Sequence, residues 1–96
     1  TNAKVEHVVL KVYKGEKYGH RDCYLRSLPL HCSQKENTKK STDEYAIFEY
    51  KLKPTYELIQ ELLTMKNEVE ILEPISLRER MKDTIVSMEK MYKKKG

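Results

Sequence analysis

Val69-Glu70-Ile71-Leu72-Glu73-Pro74-Ile75-Ser76-Leu77-Arg78-Glu79-Arg80 is the stretch on which the fold turns. Its opening alternates, Val69 and Ile71 against Glu68 and Glu70, the period-two signature of a strand with one buried face. Pro74 has no N–H to lend a ladder and stops the strand. Ser76 and Glu79 then stand at capping-box spacing, the hydroxyl for one free helical N–H and the carboxylate for another. The segment predicts strand, corner and helix.

Working outward, the helix is predicted to run from Leu77 to about Lys93. Leu77, Met81, Ile85, Met88 and Tyr92 recur at steps of four, four, three and four, one apolar face. That face is expected to pack on the sheet of its own domain. Met65, Met81, Met88 and Met91 also make an adaptable surface, and dimer packing through this helix is the competing expectation. Upstream, Val5 to Tyr13 alternates as a first strand with Val8, Leu10 and Val12 on one face. Glu16 to Leu28 predicts a short helix with Tyr24, Leu25 and Leu28 as its stripe, weakened at Gly19 and ended by Pro29. Leu30 to Gln34 is expected to open a second strand. The polar run from Lys35 to Glu44 is then expected to be an exposed, mobile hairpin loop. Tyr45 to Lys53 predicts a third strand with Ala46, Phe48, Tyr50 and Leu52 on one face. Pro54-Thr55 opens a helix with Thr55 as N-cap and Leu58, Ile59, Leu62 and Leu63 as its stripe. The order is β-α-β-β-α-β with an additional C-terminal helix, an α+β, ferredoxin-like antiparallel sheet with helices on one face.

The 96 residues suit one domain, 1–96, with a single core. Hydrophobic residues are 39% and charged residues 35%, a polar but globular balance. No apolar run approaches the ~20 residues of a membrane span, so no membrane partner is expected. The net charge of +4 is concentrated in Lys93 to Lys95 and Lys39-Lys40, which are expected to be solvated; charge alone makes a weak case for nucleic acid. Cys23 and Cys32 do not form a disulfide framework, and a reduced, cytoplasmic setting fits better. The chain opens at Thr1 and is expected to be a C-terminal piece of a longer protein, with residues 1–3 as candidate vector sequence.

Chemistry is sparse. Cys23, Cys32, His20 and His31 could supply a thiol and a base, but no catalytic signature surrounds them. Their spacing shows neither Cys-x-x-Cys nor His-x₃-His, so no metal, and with 3 scattered glycines no phosphate loop and no cofactor, is expected. The expectation is a non-enzymatic protein without catalytic residues. Tyr13, Tyr45, Lys11 and Lys51 could stack and hold bases on a sheet face. The aromatic-and-glycine pattern of an RNA-recognition strand is absent from Ala46 to Leu52, which favours tyrosines that merely edge the sheet.

Two segments resemble a known family. Leu28-Pro29-Leu30-His31-Cys32-Ser33-Gln34 is similar to "PLHxSQ", and Val69 to Arg78 is similar to "VxVLxPxxLR", both from the C-terminal extension of bacterial WYL-domain transcriptional regulators. The similarity spans about Val5 to Tyr92. It implies a regulatory and dimerisation module beside a winged helix-turn-helix and a WYL barrel in the same parent chain, and a homodimer. It also implies an effector such as single-stranded DNA or a nucleotide. Neither the helix-turn-helix nor a Trp-Tyr-Leu signature occurs here. The same resemblance marks Pro29, Leu30, His31, Ser33 and Gln34 as a surface toward ligand or neighbouring domain. The competing reading is that they fix a turn, with Ser33 and Gln34 satisfying backbone groups. Arg78 and Arg80 are candidates for phosphate or for pairing with Glu79 and Asp83 in their own helix. The alternative function is a freestanding nucleic-acid-binding ferredoxin-like domain.

Overall fold

The computed structural model describes residues 4–93; the readings of residues 1–3 and of Lys94 and Lys95 lie outside them. In chain order the elements are β1 (Glu6–Tyr13), α1 (Arg21–Ser27), β2 (Lys35–Glu36), β3 (Tyr45–Leu52), α2 (Tyr56–Thr64), β4 (Val69–Glu73) and α3 (Ile75–Lys93). Single 3-10 turns at Glu16–Tyr18 and Lys66–Glu68 precede α1 and β4. The four strands lie in the order β2-β3-β1-β4, every neighbouring pair antiparallel. This is the β-α-β-β-α-β ferredoxin-like core with an extra C-terminal helix.

Register explains the core. Val8 lies opposite Tyr50, Leu10 opposite Phe48 and Ile71, and Val12 opposite Ala46. The period of two sends all of them to one face, where each is buried. Leu25 from α1, Ile59, Leu62 and Met65 from and after α2, and Leu77 from α3 close over them. Each large side chain so buried contributes about 2 kcal/mol. Thr55 caps α2 as expected, its hydroxyl accepting from the Leu58 N–H. On the opposite sheet face Lys11 lies over the Tyr45 ring at 4.4 Å and the Tyr13 ring at 5.3 Å, and Tyr13 stacks on Tyr18 at 5.0 Å. These tyrosines therefore face one another and a lysine.

Five local expectations are corrected. The first helical region is broken in two: Gly19 (φ 63°) and His20 (φ 50°) are both left-handed, a conformation that no helix continues through. Of its predicted stripe only Leu25 is buried; Tyr24 and Leu28 are exposed. Leu30 to Gln34 forms no strand, and the second strand is two residues long at Lys35–Glu36. The polar run is tied down rather than free: the Ser41 hydroxyl accepts from the Ile47 N–H and donates to the Asn37 carbonyl, and Asn37 Nδ2 donates to Glu49 at 2.6 Å. Finally, α3 starts at Ile75, with the Arg78 N–H already donating to the Pro74 carbonyl, so Ser76 lies inside the first turn and caps nothing.

Candidate functional site

The residues singled out by sequence separate into two places. The first is the connection from α1 to β2. Gln34 is its organiser: Nε2 donates to the Leu25 carbonyl (2.8 Å), while Oε1 accepts from the Leu30 N–H (3.0 Å) and from the Tyr50 hydroxyl (2.7 Å). Burial pushes the Tyr50 hydroxyl far above its ordinary range, so it stays a donor. Ser33 Oγ accepts from the Lys51 N–H (2.9 Å) and lies 2.7 Å from His31 Nδ1, which also accepts from the Ser33 N–H. A ring nitrogen that accepts a backbone N–H carries no proton of its own, so the proton of the neutral ring sits on Nε2. Cys32 Sγ stands 3.9 Å from the same Nδ1 on the surface. Ser33 and Gln34 thus spend their polar groups on backbone and core. Pro29 is exposed and Leu30 packs against the core.

The second place is α3. Arg78 Nη1 donates to Glu70 (2.8 Å) and to the Ile71 carbonyl (2.7 Å), strapping the helix to β4. That guanidinium, together with the Tyr13 hydroxyl, holds the Glu70 carboxyl below the usual carboxylate range. Arg80 donates to the Pro54 carbonyl at 3.1 Å. Both arginines reach other elements instead of pairing with Glu79 or Asp83.

The apolar stripe does not lie down on the sheet as expected. Leu77 is buried and Met81 packs against the core, but Ile85 is 51% exposed, Met88 45% and Tyr92 87%. Only the start of α3 is anchored; its remaining turns overhang the body of the domain. Beneath the overhang runs an open, largely apolar groove of about 710 Å³. Leu62 and Leu63 of α2 and Val69 and Ile71 of β4 form its floor, and Ile85 and Met88 its wall. Lys82, Val86 and Glu89 also line it, residues that sequence reasoning did not single out. The available signal was the seven-residue spacing of Lys82 and Glu89, two helical turns along the flank of the stripe.

Two buried acids were also missed as structural elements. Arg26 bridges buried Asp22 (2.8 Å) and Glu36 on β2 (2.8 Å), which lowers the Glu36 pKa and raises that of the guanidinium. Arg21 donates to Glu68 at 2.7 Å, joining α1 to the turn before β4 across 47 positions of sequence.

A ferredoxin-like sheet with an appended, overhanging helix defines a small α+β domain, not an activity. Residues 4–88 match the WCX domain, and the chain belongs to that family. No curated protein matches it. The family match corrects the assignment drawn from the two motifs: the chain carries a WCX domain, and the WYL-regulator module is withdrawn. With it go transcription control and the effector, and the freestanding nucleic-acid-binding domain, for none of which a link is found.

Proposed function

We propose that this domain is a non-catalytic docking module that presents the groove between α2, β4 and α3 to another polypeptide. One observation carries the reading: a 19-residue amphipathic helix is anchored by its first turns and leaves its remaining apolar stripe uncovered above an apolar floor. Contiguous exposed apolar surface of this kind marks sites of protein association. A methionine-rich wall suits the role, because unbranched thioethers adapt to a partner's relief.

The non-catalytic part has its own support. The polar groups best placed for acid–base work here, His31 and Ser33, bond to each other, and His31 Nδ1 and Ser33 Oγ each also accept from a backbone N–H. Among the described residues no helix is long and apolar enough to cross a membrane. Two free, exposed cysteines fit a reducing compartment, and the cytoplasm is the proposed location.

Site-specific photo-crosslinking tests the docking role. A photoreactive residue at Met88, on the groove wall, should capture a protein neighbour in the cell. The same residue at Tyr56, exposed on α2, should not. Equal capture at both positions refutes the reading.

A further inference from the structure

We infer that a second cleft, separate from the groove under α3, binds an apolar dipeptide by its two charged ends. The site goes beyond the docking reading and does not depend on it. The cleft, of about 530 Å³, opens where the end of β3, the start of α2 and the α1–β2 connection meet. Concavities of this size, apolar with a few converging polar groups, are the usual form of a small-ligand site. Leu30, Leu52 and Leu58 supply the apolar floor: Leu52 is buried, and Leu30 and Leu58 pack against the core. Val5, itself exposed, extends that floor toward solvent.

Both signs of charge line the floor. Lys51 and Lys53, alternate residues as the chain leaves β3, bring two ammonium groups, and His31 adds a third donor. Ser33 engages Nδ1 of that ring, which leaves the proton on Nε2, and Nε2 has no bond among the described residues. Glu57 and Glu61, one turn apart on α2, bring two carboxylates. None of these four charges is in an ion pair among the described residues, so the cations and the carboxylates stand apart. The complementary ligand has a carboxylate at one end, an ammonium at the other and apolar groups between. A free amino acid carries both charges on one carbon and cannot serve both sets. A cavity of this volume is roughly 8 Å across, close to the length of two extended residues. That is a dipeptide with free termini, and leucine side chains suit a floor of leucines.

Titration of the isotopically labelled 96-residue chain with Leu-Leu, followed by its amide NMR shifts, is the test. Saturable shifts should gather at Leu30, Leu52, Lys53 and Leu58. N-acetyl-Leu-Leu and Leu-Leu amide each lack one end charge and should bind on the order of tenfold more weakly. Free leucine should lose at least as much. In the E57Q/E61Q variant, Leu-Leu and its acetylated form should bind within about twofold of each other, because the ammonium no longer has a partner to lose. K51Q/K53Q should likewise level Leu-Leu with its amide. All four side chains are exposed, so the substitutions leave the core as it is.

No saturable shift up to tens of millimolar Leu-Leu would overturn the site, and shifts gathered at Met81 and Ile85 would overturn it by placing the ligand in the other groove. Free leucine binding as tightly as Leu-Leu would overturn the dipeptide assignment. A tenfold loss on acetylation that persists in E57Q/E61Q would overturn the role of the glutamates. None of these results touches photo-capture at Met88, so this site and the docking groove fail separately.

Discussion

Replacing Gln34 with methionine keeps the shape of the side chain and removes every hydrogen bond that the side chain makes in the α1–β2 connection. Three are lost: to the Leu25 carbonyl, from the Leu30 N–H and from the Tyr50 hydroxyl. A hydrogen bond of this kind is worth about 1 kcal/mol net, and an orphaned buried donor about 1–3 kcal/mol. Water reaches part of this half-buried site, so Gln34→Met should cost about 2–3 kcal/mol. In a domain of this size that lowers the melting temperature by roughly 10–20 °C. The sharper quantity is the coupling with Tyr50. Alone, Tyr50→Phe removes one bond and should cost about 1 kcal/mol. In the Gln34→Met background its hydroxyl already lacks a partner, so the same change should cost nothing or stabilise. Urea unfolding of the four proteins closes the double-mutant cycle, with an expected coupling of about 1 kcal/mol. Equal costs for Tyr50→Phe in both backgrounds would show that Gln34 is not what satisfies the hydroxyl.

Removing Arg21 leaves the Glu68 carboxylate, 12% exposed, without its cation; Arg21→Ala should cost about 2–3 kcal/mol in denaturant unfolding, and adding Glu68→Gln should recover much of it. Leu77→Ala should cost about 2–4 kcal/mol, while Met88→Ala, at the exposed end of the stripe, should stay within about 0.5 kcal/mol when unfolding is followed on dilute protein. The carboxyls of Glu36, Glu49 and Glu70 are held low, first by Arg26, Asn37 and Arg78 respectively. A depressed acid adds stability that is fully present above its unfolded value of about 4.5 and lost as pH falls through its lower folded value. Melting temperature should therefore fall below about pH 4.5, and Arg26→Ala should flatten that fall.

Alternation made β3 legible: Ala46, Phe48, Tyr50 and Leu52 are all buried, as their spacing demands. Thr55 before an amphipathic run was equally plain, since a cap is a local device. Gln34 was not, because its bonds reach Leu25 nine residues back and Tyr50 sixteen ahead, and these outcompeted the ladder that a strand would have made. Ser76 and Glu79 had the spacing of a capping box, yet the helix begins at Ile75 and leaves Ser76 no free end to cap. For α3, periodicity identified the residues that share a face. It carries no information on what that face meets, and here only Leu77 and Met81 meet the core. Glu68 looked like the polar half of a strand alternation, and its burial against Arg21 depends on a partner that sequence spacing cannot reveal.

The strap from Arg78 to β4 has a consequence for how copies of the chain can stack. β4 is an outer strand of the sheet, and outer strands are where proteins grow into fibrils by adding one backbone to the next. Here the Ile71 carbonyl is already taken by a guanidinium, Glu70 and Glu73 place acids along the strand, and Pro74 ends it. The opposite border, β2, offers only two residues. Templated β-polymerisation is thereby discouraged at both borders. A crowded solution of this protein should stay free of thioflavin-positive aggregate until Arg78 is removed.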